Sequence, residues 1–177
     1  CSSFWKGLDT IVRTAKILKT QNVDFEWILA GTVRNKELIE WKENIQFENV
    51  NIIPIGMLNA TELINQLLLT DIYIHTSYID NSPNSICEAQ LLGIPIISTN
   101  VGGISSLIDN KKEGLLIPAN DPYTLANEII ILSQDVSKQI FYSDNSSAIA
   151  KKRHCPTEIF NSLIKIYTDI IIYHKSK

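Results

Sequence analysis

The chain has 177 residues, 45% of them hydrophobic and 20% charged, with a formal net charge of −3. That length supports one domain with a substantial core, and the acidic balance gives no electrostatic footprint for nucleic acid. Cys1, Cys87 and Cys155 lie too far apart for a CxxC site or a disulfide framework, which suits a reducing, cytoplasmic compartment, and no apolar stretch reaches the ~18 residues of a membrane span.

The chain opens CSSFWKG, without methionine, and enters a helix almost at once, as expected of a piece of a longer protein. Apolar residues at Leu8, Ile11, Val12, Ala15, Ile17 and Leu18 predict a helix over 8–19, with Gly7 before it. Residues 23–30 read as a strand closed by Gly31, 36–44 as a helix and 51–55 as a strand. Asn59 is placed to cap a helix over 60–69, with Glu62 at its third position. A short apolar run, 72–75, predicts a buried strand, followed by a polar loop over 76–83 that holds Asp80. Pro83, Asn84 and Ser85 open a helix that carries Glu88 and ends at Gly93. A strand over 94–98, a loop over 99–103 opening a short helix, a turn at 111–114 and a strand over 115–117 follow. Asp121 and Pro122 supply a cap and a first-position proline for a helix through Leu132. A polar patch over 133–147 holds a helix around 137–143. Pro156 then opens a last helix with Ile159, Leu163, Ile166, Tyr167 and Ile170 on one face.

Strands alternating with helices predict an α/β fold: a Rossmann-like, doubly wound parallel sheet of about five to six strands with helices on both faces. Residues 1–177 then form one domain. Such sheets bind ligands at the carboxyl ends of their strands, which directs attention to the loop over 76–83 and the helix after it. Asp80 and Glu88 are eight residues apart and can face one crevice. Carboxylates suit a ribose diol or a pair of sugar hydroxyls, yet a loop solvator and a solvent-facing helix residue explain the two acids equally well. The helix start at Asn84, Ser85 and Ile86, and the turn at Gly102 and Gly103, offer backbone N–H groups that favour phosphate. Plain capping is the commoner use of such features. Lys6 and Arg34 are candidate partners of a diphosphate, or simply solvated bases. His75, at the end of an apolar strand, is more readily a core histidine than a catalytic one, and Cys87 a small core residue. No metal-ligand cluster, P-loop or G-x-G-x-x-G motif is present.

In order along the chain stand Lys6-Gly7-Leu8-Asp9, Asp80 with Glu88, Glu88-Ala89, Gly93-Ile94-Pro95-Ile96, Gly102-Gly103, Gly114-Leu115-Leu116-Ile117-Pro118, and Asp121-Pro122 with Leu125-Ala126. This set resembles the carboxyl-terminal, donor-binding lobe of retaining glycosyltransferases of the GT-B fold, family 4 or group 1. The resemblance covers nearly the whole chain. It implies a lobe that binds a nucleotide-diphosphate sugar of the UDP or GDP type, without cofactor or metal. The acceptor would sit on an N-terminal lobe of the same longer chain, through which any membrane association would run. It implies Asp80 at the donor sugar, Lys6 at the diphosphate and Glu88 on the ribose hydroxyls. It also implies backbone or side-chain donors from Asn81, Ser82, Asn84, Ser85 and Ile86, and Met57 and Leu58 at the edge of the base. Three positions depart from the family pattern: Asp80 replaces the usual glutamate, Asn81-Ser82-Pro83 replaces an aromatic-glycine pair, and Cys1 or Ser2 stands where an arginine is usual. Other readings are a different GT-B enzyme, such as a sugar-nucleotide epimerase, and a non-enzymatic interaction module.

Overall fold

The structure is a computed structural model that describes residues 4–175; Cys1 and Ser2, at the place of the family arginine, lie outside them. The element order is α1 (Leu8–Thr20), β1 (Trp27–Ala30), α2 (Lys36–Glu43), β2 (Ile52–Gly56), α3 (Ala60–Leu68), β3 (Tyr73–His75), α4 (Asn84–Leu91), β4 (Ile96–Thr99), β5 (Leu115–Ile117), α5 (Pro122–Gln134), α6 (Val136–Arg153) and α7 (Pro156–Lys175). All strand pairing is parallel, as the βαβ alternation requires. The five strands form two hydrogen-bonded groups, β1-β2 and β3-β4-β5. One apolar core spans both, with Leu29 and Ile52 from the first group beside Ile97, Leu115 and Ile117 from the second.

The strands of the second group separate two cores by simple alternation. In β4, Ile97 joins the core built with α1 and α5, whereas Ile96 joins the one built with α3 and α4. In β5, Leu115 and Ile117 face the first core and Leu116 packs on the second. Side chains of a strand alternate between faces, so helices must cover both. α1 contributes Leu8, Ile11, Val12, Ala15 and Leu18 to the first core, the spacing read from sequence. α3 begins with a full capping box: Glu62 N–H donates to Asn59 Oδ1 at 3.0 Å, and Asn59 N–H donates to Glu62 Oε2 at 2.8 Å.

Three expectations are corrected. The strand expected over 23–30 is paired only at Trp27–Ala30, because Asn51 Nδ2 takes the Phe25 carbonyl at 2.9 Å in place of a neighbouring strand. The short helix after the glycine pair is a single 3₁₀ turn, Ile104–Ser106. The helix expected around 137–143 extends over Val136–Arg153. Its polar sequence hides a narrow stripe of Tyr142, Ser146 and Ala150, all buried at i, i+4 spacing. The Ser143 hydroxyl donates to the Gly93 carbonyl, and Arg153 holds Gln90 Oε1 and the Leu107 carbonyl at 2.9 Å each. α7 bears the expected apolar face, but that face is uncovered: Ile159, Leu163, Ile166, Tyr167 and Ile170 are all exposed. No helix among the described residues is long and apolar enough to cross a membrane.

What positions the ligand-prone edge is the entry into α1. Gly7 has φ +70°, and a Cβ there would run into the Thr76 carbonyl oxygen. Thr76 Oγ1 donates to the Lys6 carbonyl at 2.8 Å, and Tyr78 N–H donates to the Trp5 carbonyl at 2.7 Å. The segment before α1 is thus strapped to the loop after β3. Gly7→Ala is expected to cost at least about 2 kcal/mol, from the left-handed conformation together with the clash. Urea unfolding checks this, and a loss within experimental error would show that the strap is not rigid.

Candidate functional site

β3 ends at His75, and the chain then crosses the carboxyl edge of the sheet as a loop to Pro83. Tyr78 pins this loop to α1. Its hydroxyl donates to Asp9 Oδ1 at 2.7 Å and accepts from Thr10 Oγ1 at 2.9 Å. Arg13 holds the other oxygen of Asp9 at 2.5 Å and Asn120 Oδ1 at 3.2 Å. From the far side, the glycine pair supports the loop. A Cβ on Gly102 would strike the Asp80 carbonyl oxygen, and one on Gly103 the Asn81 carbonyl oxygen.

This corrects the use expected of the pair. The Gly103 N–H is taken by the Asp80 carbonyl at 3.3 Å, so these glycines admit protein backbone rather than a ligand. Likewise the Ile86 N–H donates to the Pro83 carbonyl at 3.1 Å and its side chain is fully buried, which leaves Asn84 and Ser85 to present the opening turn of α4.

The loop delivers Asp80 against Lys6. Lys6 Nζ donates to Asp80 Oδ2 at 2.6 Å, with the lysine side chain 42% exposed and the aspartate 14%. The lysine expected at a diphosphate and the acid expected at a sugar therefore neutralise each other here. His75 Nε2 lies 3.4 Å from the same Asp80 oxygen. Burial pushes the His75 imidazole down to about 4, opposed by the Asp80 carboxylate and reinforced by the Lys6 charge. Neutral histidine is the state that fits beside an acid already paired.

The second acid lies eight residues beyond the first, on the helix that follows the loop. Glu88 is exposed one turn into α4. It acts together with Asp80 on Tyr73, whose hydroxyl burial pushes up to about 12, with a hydrogen bond to Ser85 in partial opposition. Asn81, Ser82 and Asn84 are exposed around this edge. Met57 is exposed and Leu58 half-buried just past the carboxyl end of β2, in the other strand group. Arg34 is exposed after β1. Cys87 packs half-buried against the second core. No cluster of three or more His, Cys, Asp or Glu side chains able to hold a metal occurs among the described residues. Two surface grooves, of about 360 and 570 Å³, lie beside α2 and between α1 and α5, the second lined in part by Arg13 and Asn120 of the Tyr78 network. The site is identified by the strand ends and their charges.

Sequence reasoning left His75 in the core and did not single out Tyr73 or Tyr78. The available signal was positional, since all three fall within seven residues of Asp80 at the end of one strand.

Residues 3–147 match the family model described as glycosyl transferases group 1. The Escherichia coli (strain K12) protein WcaL, assigned to colanic acid biosynthesis as a glycosyltransferase, is 30% identical over 136 residues, covering 73% of this chain and 33% of WcaL. The crystal structure of Anabaena HepE in complex with UDP aligns with a TM-score of 0.77 at 22% identity, over 94% of this chain and 46% of HepE. The C-terminal domain of the group 1 glycosyl transferase family protein LpcC from Francisella tularensis aligns with a TM-score of 0.72 at 18% identity, over 86% of this chain and 81% of that domain. The chain thus spans a third to under half the length of WcaL and HepE.

The His75 geometry makes a pH prediction. Its folded pKa, about 4, lies below the ordinary 6.5, so between those values the unfolded chain takes a proton that the folded chain refuses. The site's contribution to stability is intact above pH 6.5 and falls as pH drops toward 4, by up to roughly 3 kcal/mol. Replacing His75 with Gln should flatten that part of the pH-stability curve. An unchanged slope in the variant would place the titration elsewhere.

Proposed function

Since the chain belongs to the group 1 glycosyl transferases, we propose that it is the donor-binding lobe of a two-lobe enzyme that transfers a glycosyl group from a nucleotide-diphosphate sugar with retention at the anomeric carbon. The observation that carries this reading is the meeting of Lys6 and Asp80 at 2.6 Å on the carboxyl edge of the sheet, beside the opening turn of α4. A diphosphate entering there finds a cation on a flexible stem and the positive end of a helix. As the bond from the sugar to the diphosphate breaks, its electron pair goes to the phosphate oxygen. Lys6 and the N–H groups of Asn84 and Ser85 stabilise the charge that develops there. Asp80, released from Lys6, faces the sugar, with Asn81 and Ser82 beside it. Glu88, exposed and one turn away, accepts hydrogen bonds from the ribose hydroxyls. Met57 and Leu58 border the base, Ile86 anchors the turn from beneath with its N–H on the Pro83 carbonyl, and no metal is needed. The UDP held by the HepE fold supports UDP as the first nucleotide to test.

The acceptor belongs to an N-terminal lobe of the same longer chain. The extra length of the relatives supports such a lobe, as does the match to a solved C-terminal domain. The uncovered apolar face of α7 offers it a surface.

Thermal unfolding with UDP, GDP and ADP tests the reading. At a hundredfold excess over its dissociation constant, the matching nucleotide should stabilise the chain by about 2.7 kcal/mol, or roughly 5–10 °C. No shift with any of the three would refute a donor site. Glu88→Ala should weaken that nucleotide at least about tenfold, the effect of losing a charge-assisted hydrogen bond. Asp80→Ala in the two-lobe enzyme should abolish transfer while nucleotide binding persists, because Lys6 is then free. Loss of nucleotide binding in Asp80→Ala would reverse the roles assigned to the two acids.

A further inference from the structure

Few buried polar atoms in native proteins lack a partner, so each one asks for a reason. Among the described residues, three buried side-chain atoms have none: His75 Nε2, Ser77 Oγ and Arg13 Nε. Arg13 Nε is 3.4 Å from Glu43 Oε1, so its charge is answered even without a hydrogen bond. The other two lie two residues apart on the segment that carries Asp80. His75 is only 7% exposed, and its Nε2 stands 3.4 Å from Asp80 Oδ2, in reach of the oxygen but without a well-formed hydrogen bond to it.

Lys6 already neutralises that carboxylate. It occupies the same Oδ2 at 2.6 Å. The lysine is nearly half exposed at the end of a long flexible stem, whereas Asp80 is held almost buried on a loop pinned by Tyr78 and by the glycine pair. If one partner leaves, it is Lys6. Its departure would strand a carboxylate with little access to water, a costly state unless another donor replaces it. His75 is the side chain already aimed at that oxygen with unspent capacity. A neutral imidazole with its hydrogen on Nε2 can donate, and closing 3.4 Å to hydrogen-bond length requires a shift of about half an ångström.

We infer that His75 is a positioning residue for Asp80, the donor that takes over the Asp80 carboxylate when a ligand's phosphates draw Lys6 away. The free and ligand-bound sites then differ by one exchange of partners: Lys6 passes from carboxylate to phosphate, and Nε2–H passes from no acceptor to Asp80. The exchange fixes the carboxylate's orientation at the moment a ligand needs it. It also lowers the cost of breaking the resting ion pair, so ligand affinity depends on a residue that does not touch the ligand. The inference rests on the assignment of Lys6 to the diphosphate, but the takeover itself can be provoked without any ligand.

The experiment has two arms. In the first, thermal unfolding at pH 7 without ligand compares the unmodified chain, Lys6→Met, His75→Leu and the double variant. Alone, His75→Leu should change the midpoint little, because Lys6 still holds Asp80. In the Lys6→Met background the same change should lower it by at least about 3 °C more. His75→Gln, whose amide nitrogen reaches the imidazole Nε2 position, should remove most of that extra loss. Equal effects of His75→Leu in both backgrounds would overturn the inference, whether or not the chain binds a nucleotide. In the second arm, UDP is titrated calorimetrically into the unmodified, His75→Leu and His75→Gln chains. Binding should weaken about tenfold in His75→Leu and return toward normal in His75→Gln, the scale expected of one buried carboxylate left unpaired. If UDP binds the unmodified chain and His75→Leu equally well, the inference fails while the donor site stands. If UDP does not bind the unmodified chain, the donor reading fails, and the first arm alone decides the role of His75.

Discussion

Backbone meets backbone at two places on this domain, and the site exists because of it. The segment before α1 approaches the loop after β3 so closely that only glycine fits at position 7. The turn after β4 approaches the same loop from the other side, with glycines at 102 and 103. A loop held on both sides by main chain has little freedom to move its side chains. That is how a short, otherwise irregular stretch comes to hold Asp80 almost buried and in line with Lys6. The polar contacts of Tyr78 with Asp9 and Thr10 complete the clamp, and they sit on α1, the helix that begins two residues after Lys6.

Electrostatics then decides what the resting site looks like. Lys6 and Asp80 are far apart in sequence and come from different elements, so their pairing at 2.6 Å follows from the fold. In water such a pair contributes little, but with one partner nearly buried the carboxylate depends on it. A nearly buried carboxylate is therefore kept neutralised by a lysine that water can still reach. Burial keeps His75 uncharged by depressing its pKa; the Asp80 carboxylate opposes that effect and the Lys6 charge adds to it. At such a site the lysine is not a free cation nor the aspartate a free anion, so anything that takes either one must first break their pair.

Local chemistry was legible in the sequence where it acts over a few residues. The Asn59 and Glu62 capping box, the Asp121-Pro122 helix start, the apolar spacing of α1 and the strand Leu115–Ile117 all appear as read. The elements misjudged are those whose cause lies far along the chain. Phe25 leaves its strand because Asn51 reaches it. α6 runs on through serines because Gly93, Gln90 and Leu107 satisfy its polar groups and α4 covers its small residues. The site follows the same rule. Asp80 and Glu88 could be singled out because they share a local loop and helix. The pairing of Lys6 with Asp80, and the place of His75 beside them, depend on separations in sequence or on strand ends that no periodicity encodes. The glycine pair was recognised as a close approach, but what approaches it is the backbone of residues 80 and 81.

The exposure of the site's edge has a structural meaning when set beside α7. Asn81, Ser82, Asn84 and Glu88 are all exposed along the edge that carries the two acids. A ligand buried on one side only would keep much of its hydration, and fixed charges would act on it through water, where they are weak. Strong stabilisation of developing charge needs a second wall that excludes solvent. α7 has its apolar residues uncovered along its length, so the domain also presents a large surface that water does not favour. One additional body could meet both needs, shielding the edge from water and covering the helix. The exposed helix and the exposed edge thus place the same demand on the domain, since apolar surface and developing charge are both better served where water is excluded.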